Sequence, residues 1–193
     1  VSYTGERDSL MDVQEQVKAL KQTLHKEEVS VQHQNMICVK KNEGVTTSGQ
    51  VQYVAQTGNF RKKGYEYTGA LNILKVALSY DYLWTNIRVK GGAYGCSTNI
   101  GRNGDVCFLS YRDPNLGRTL DVYRGVPEYL KNFEIDERGM TRFVIGAFSE
   151  LDAPLTPLSQ GRRSLLSYLT GVTYEMIQQE RTQALHTCPQ DIR

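Results

Sequence analysis

The chain of 193 residues reads as an α+β protein in which a mostly antiparallel β-sheet is covered chiefly on one face by helices. Three observations predict this class. Short alternations of apolar and polar residues occur at 51–56, 97–99 and 106–111, the spacing of half-buried strands. The last two are separated only by Gly101-Arg-Asn-Gly104, whose glycines and asparagine suit a hairpin, so they pair antiparallel. Around these strands lie much longer stretches with apolar residues three and four apart, the period of amphipathic helices.

Residues 1–5, Val-Ser-Tyr-Thr-Gly, alternate and then turn, which predicts the tail of a strand. A helix follows from Asp8 or Ser9, either of which is a capping side chain, with Leu10, Val13, Val17, Leu20 and Leu24 on one face up to about His25. Residues 26–49 are polar apart from an apolar island at 36–39, so they predict a surface connection holding a brief strand. The strand at 51–56 closes at Thr57-Gly58. After a basic loop at 61–64, residues 67–84 show only a narrow polar stripe of Asn72, Lys75 and Ser79, which predicts the most buried helix. A glycine turn and the hairpin strands come next, closed by Asp113-Pro114-Asn115. The remainder is helical: 116–133 with a kink at Pro127, then 136–151, 159–169 and 173–186, separated by breaks rich in glycine or proline. Residues 187–193 carry a T-x-x-Q capping box at a helix start. A strand entered midway and a helix left in its first turn predict one domain over 1–193 that is a fragment truncated at both ends.

Composition excludes several functional classes. Lys+Arg 23 against Asp+Glu 21 gives a nearly balanced surface, so no general field for nucleic acid or acidic membranes is expected. No apolar run approaches the roughly 20 residues that cross a bilayer, and the polar beginning is unlike a signal peptide. The four cysteines, Cys38, Cys96, Cys107 and Cys188, are widely spaced with no C-x-x-C pair, the pattern of reduced packing thiols. Twelve tyrosines supply amphipathic bulk for partly buried, wet surfaces.

Each conventional catalytic motif fails on a named residue. His25-Lys-Glu-Glu28 begins an H-x-x-E-H zinc motif, but Val29 stands where the second imidazole belongs, and His33 and His186 lack partners at ligand spacing, so no metal site is expected. The glycines at 91, 92 and 95 match neither nucleotide-binding pattern and follow a helix where such loops precede one. Ser110 and Ser149 lack a nucleophile elbow, and Cys96 lacks a paired histidine. The cluster Arg61-Lys62-Lys63 with Tyr65 and Tyr67 mixes cations and rings as single-strand binders do, yet one short cluster is the ordinary pattern of a solvated loop.

What remains is Arg88-Val-Lys-Gly-Gly-Ala-Tyr-Gly95. Three glycines in five residues allow positive φ or a close backbone approach, and they hold a guanidinium and a phenol at the two ends of one stiff turn. Such a pair suits a carbonyl, a carboxylate or a phosphate. Taken with Tyr67-Thr-Gly-Ala-Leu71 and Tyr82-Leu-Trp84, the string R-x-x-G-G-A-Y-G resembles the C-terminal half of the insulinase-type (M16) zinc peptidases, in the presequence-protease and falcilysin-like branch. The similarity runs from the strand at Val51 through the terminal helices and, more faintly, over the first helix.

The resemblance implies four homologous α+β domains that close around a peptide-degradation chamber, of which this chain is the last. It implies that Tyr94 hydrogen-bonds the scissile carbonyl as it becomes an oxyanion and that Arg88 anchors peptide backbone or carboxylate, with Gly91, Gly92 and Ala93 lining the substrate site. Zinc would lie in the first domain and none in this chain, so the fragment alone would be inactive. The implied partners are the other M16 domains of the same polypeptide and an unstructured peptide, with no nucleic acid and no membrane. The implied compartment is the cytoplasm in a bacterium or an organellar matrix in a eukaryote. The alternative implied by the same fold is a non-catalytic structural or assembly subunit.

Overall fold

A computed structural model describes residues 1–26, 39 and 41–193. In chain order its regular elements are α1 (Leu10–Thr23), β1 (Gln52–Asn59), α2 (Ala70–Ala77) with a π-helical continuation (Leu78–Val89), β2 (Gly95–Ile100), β3 (Asp105–Asp113), α3 (Leu116–Arg124), α4 (Val126–Lys131), α5 (Glu137–Leu151), α6 (Pro157–Thr170) and α7 (Tyr174–Leu185). Single 3-10 turns occur at Arg7–Ser9, Arg61–Lys63 and Pro189–Asp191. The apolar island at 36–38, Cys38, His33 and the interrupted zinc motif at 28–29 lie outside the described residues.

The described residues form two compact units. One comprises Val1–Ser48 and Leu155–Gly171 and holds α1 and α6. Neither helix has a fully buried residue. Residues 1–4 form no strand, which corrects the expectation for them; they pass so close to α6 that a Cβ on Gly161 would collide with the Thr4 hydroxyl. Ser9 precedes α1 without a side-chain cap, because its own backbone is already helical where a capping residue is extended.

The other unit, Gly49–Pro154 with Val172–Arg193, contains the sheet. Its order is β1-β3-β2 and both pairings are antiparallel. Val54, Ser110 and Cys96 stand in register across the three strands, as do Gln56, Phe108 and Thr98 one step further along. Val54, Ser110 and Thr98 are buried, and Leu83, Ile87 and Tyr123 pack with Val54 into one apolar cluster. The opposite face carries Tyr53, Ala55, Leu109 and Ser97, all exposed. One covered face and one open face are what the antiparallel alternation predicts.

A second cluster joins α2 to the C-terminal helices through Ile73, Val76, Ala77, Phe133, Met140, Ala147, Ala184 and Ile192. The predicted burial of the helix beginning near Tyr67 is therefore met, but not its form. Beyond Ala77 the ladder widens to π-helix and continues past Trp84 to Val89. The break expected at Pro127 falls instead at Gly125, between α3 and α4. There a Cβ would sit 2.5 Å from the Tyr82 hydroxyl oxygen, which donates to the Val122 carbonyl at 2.9 Å, so the tyrosine occupies the space a side chain would need.

Asp136, Thr156 and Thr173 cap α5, α6 and α7 through their side chains. The expected T-x-x-Q box at 187–190 is displaced by one residue. Cys188 and Asp191 make the reciprocal exchange, while the Thr187 hydroxyl donates back to the Gln183 carbonyl at 2.8 Å.

Candidate functional site

Arg88 lies on the last turn of the π-helical segment, not in the loop beyond it. That segment ends through the glycines. The Gly92 amide returns to the Arg88 carbonyl at 2.9 Å and the Ala93 amide to the Ile87 carbonyl at 3.2 Å. Gly92 has φ +78, a conformation that a residue with a Cβ resists. At Gly91 the constraint is space, since a Cβ there would collide with the Ile87 carbonyl oxygen. Ala93 is buried, and Tyr94 emerges on the far side of the turn with 58% of its surface exposed.

Two guanidinium contacts fix this geometry. The Arg88 guanidinium carbon lies 4.4 Å above the Trp84 ring, and its Nη1 donates to the Tyr94 carbonyl. The Tyr94 amide donates across the sheet to the Arg112 carbonyl at 3.3 Å. The main chain of Tyr94 is thus held from both sides. Its ring meets the edge of Tyr111 at a centroid distance of 5.1 Å, and Tyr111 in turn contacts Tyr53 at 5.7 Å. Gly95 faces Tyr111 in the β2–β3 register and leaves room for that ring. No described residue accepts a hydrogen bond from the Tyr94 hydroxyl, so it is open to an external acceptor.

A depression of about 470 Å³ opens here, lined by Arg88, Gly92, Ala93, Tyr94, Arg112 and Val51. Four of the five residues expected from the sequence line it. Gly91 does not, and acts beneath the turn. Arg112 and Val51 come from β3 and the entrance to β1 and were not anticipated.

A clamp behind the turn was missed as well. Asp113 is fully buried and accepts from the Ser110 hydroxyl at 2.6 Å, the Thr119 hydroxyl at 2.6 Å and the Asn115 amide at 2.8 Å. The Asn115 side-chain amide then donates to the Gly91 carbonyl, and Arg118 donates to the Lys90 carbonyl at 2.8 Å. Asp113-Pro114-Asn115, legible only as a turn that closes a strand, anchors the glycine loop from 24 residues away in sequence.

The other chemical candidates stay apart from this site. Burial pushes the Cys96 thiol up to about 11, against a smaller opposing pull from Arg88, so at neutral pH it is a packing thiol and no nucleophile. Arg102 pairs in a fork with Glu180 of α7, tying the hairpin loop to the helical layer. Among the described residues no three His, Cys, Asp or Glu side chains are placed to hold a metal ion. No helix is long and apolar enough to cross a membrane.

An α+β domain that gathers a phenol and two arginines around one concavity has the chemistry to grip an acceptor group and to offer it a fixed hydrogen-bond donor. Comparison with known proteins gives that domain its family. The sequence model of the PreP C-terminal domain family matches residues 42–193, and the chain belongs to this family, the C-terminal domain of peptidases in the presequence-protease branch of M16. It is 40% identical to Protein HypA of Clostridium perfringens over its whole length, and 37% identical over 79% of its length to Presequence protease 1, chloroplastic/mitochondrial, of Arabidopsis thaliana. Over 91% of its length it is 30% identical to the mitochondrial presequence protease of Schizosaccharomyces pombe. The chain spans only 20%, 14% and 18% of those three proteins.

Proposed function

We propose that this chain is part of the C-terminal, substrate-binding domain of a zinc-dependent oligopeptidase that degrades unstructured peptides inside a closed chamber. Tyr94 donates its hydroxyl to the scissile carbonyl oxygen as negative charge develops there, and Arg88 helps to anchor the peptide. The backbone of Gly92 and Ala93 lines the groove over the support of Gly91. The observation that carries this reading is the exposed Tyr94 side chain on a main chain held at both its amide and its carbonyl. A donor fixed before the reaction loses nothing to reorganisation as charge appears, and removing one such donor costs about 3 kcal/mol, or roughly 100-fold or more in rate.

Arg88 has a double task in this scheme. One of its N–H groups is committed to the Tyr94 carbonyl, which leaves others of the five for a peptide oxygen. The described residues supply no ligand set for zinc, which is assigned to another domain of the same polypeptide. The chamber, its other domains and the compartment, a bacterial cytoplasm or an organellar matrix, follow from the parent protein.

Kinetics of the full-length protein test the assignment. Tyr94→Phe and Arg88→Ala are each expected to lower peptide turnover at least about tenfold, with zinc content unchanged by metal analysis. Wild-type turnover in both variants would exclude these roles.

A further inference from the structure

We propose that Arg112 pairs with Arg88 to form a carboxylate-binding subsite beside Tyr94, an inference that rests on the substrate-binding reading above. Five observations carry it. The depression is lined by two guanidiniums, one phenol and small or apolar groups, with no acidic side chain among its lining residues. The acid next in sequence, Asp113, is turned inward, fully buried and saturated by three donors, so it does not neutralise Arg112. Among the described residues Arg112 enters no ion pair. Its guanidinium carbon stands 5.9 Å from the Tyr94 ring centroid, and that of Arg88 stands 5.7 Å from the same centroid.

The fifth observation is the backbone. Arg112 has φ +49 and is the non-glycine residue with positive φ among the described residues. Glycine would adopt that conformation without strain, and arginine does not. Strained residues concentrate at ligand clamps, where the surrounding fold holds them in place. Here the conformation falls at a β-bulge, where Tyr111 and Arg112 together stand opposite Tyr53; Arg112 lines the depression with its guanidinium beside the Tyr94 ring while its carbonyl receives the Tyr94 amide. Two planar forks around one concavity match a carboxylate, which each can bind through two parallel hydrogen bonds. The ligand group is a peptide carboxylate, from either the C-terminus or an acidic side chain.

The test uses the full-length protein and one labelled, unstructured peptide in four forms: with a free or amidated C-terminus, each with or without a single internal glutamate. Binding is measured by anisotropy and cleavage by KM and kcat. Arg112→Gly removes the guanidinium while relieving the backbone, so its urea midpoint is expected to stay level or rise. Arg112→Lys keeps the charge but loses the fork. The expected result is that Arg112→Gly weakens binding of carboxylate-bearing forms about tenfold or more, with Arg112→Lys intermediate, while the amidated peptide lacking glutamate is unaffected. Loss confined to free-acid peptides identifies the C-terminal carboxylate, and loss that follows glutamate identifies the side chain. Equal loss for all four forms, or none, overturns the proposal. Carboxylate-dependent binding without cleavage would remove the peptidase reading and leave this subsite standing. Cleavage indifferent to both Arg112 and peptide charge would do the reverse.

Discussion

Asp113 is the residue on which the site's stiffness turns. Its carboxylate satisfies two buried hydroxyls and one backbone amide, and Asn115 carries that order on to the Gly91 carbonyl. Replacing Asp113 by Ala leaves those donors buried and unpaired, at a cost of about 2–4 kcal/mol. A urea denaturation series would measure it. Asn115→Ala is milder in stability because the Asn115 side chain is only half-buried, yet it releases the same turn. At this scale the sequence was legible where chemistry is local. Arg88, Gly92, Ala93 and Tyr94 come from one short string and line one depression. Arg112 was not legible because it reaches that depression through strand pairing, and Asn115 was not because its hold on the Gly91 carbonyl spans 24 residues that no local pattern connects.

Glycines separate the helices of this fold from its turns, and their roles differ by location. Gly91 lies against the Ile87 carbonyl with no room for a Cβ, so Gly91→Ala must push the turn away from the end of the helix. A loss of about 2 kcal/mol or more is expected, with a lower thermal midpoint. Gly117, near the start of α3, has nothing within 4 Å of the point where a Cβ would sit, and Gly117→Ala is expected to add about 0.4–1 kcal/mol through the entropy of the unfolded chain. The pair of variants distinguishes a steric glycine from a merely permissive one. Helix existence was readable from spacing throughout the second half of the chain. The π-helical widening after Ala77 was not, because a segment apolar on most of its circumference satisfies α and π periods alike. The shift of the α3–α4 break from Pro127 to Gly125 has a similar origin: proline fits without penalty in a first helical turn, and the neighbour that demands a glycine, Tyr82, lies far back in the sequence.

The two units of the whole molecule differ in how much they bury. The unit containing the sheet holds both apolar clusters, whereas α1 and α6 have no fully buried residue. Hydrogen exchange read by mass spectrometry is therefore expected to show lasting protection over Ile73–Leu78 and β3, and rapid exchange over α1. Protection of α1 equal to that of β3 would contradict it. The α+β class and the antiparallel pairing were legible because alternation and hairpin chemistry are short-range signals. The strand expected at residues 1–4 was not met, because alternation alone does not create a partner for an edge.

The doubly held main chain at Tyr94 sets a rule for what can dock there. Its amide already belongs to β3 and its carbonyl accepts from Arg88, so Tyr94 itself has no free backbone donor with which to lengthen the ladder. A visiting peptide cannot be zipped on at residue 94 as an extra strand. On the proposed reading a peptide would be met at residue 94 by the Tyr94 and Arg88 side chains, so that contact would respond to its charges and rings more than to the direction of its main chain.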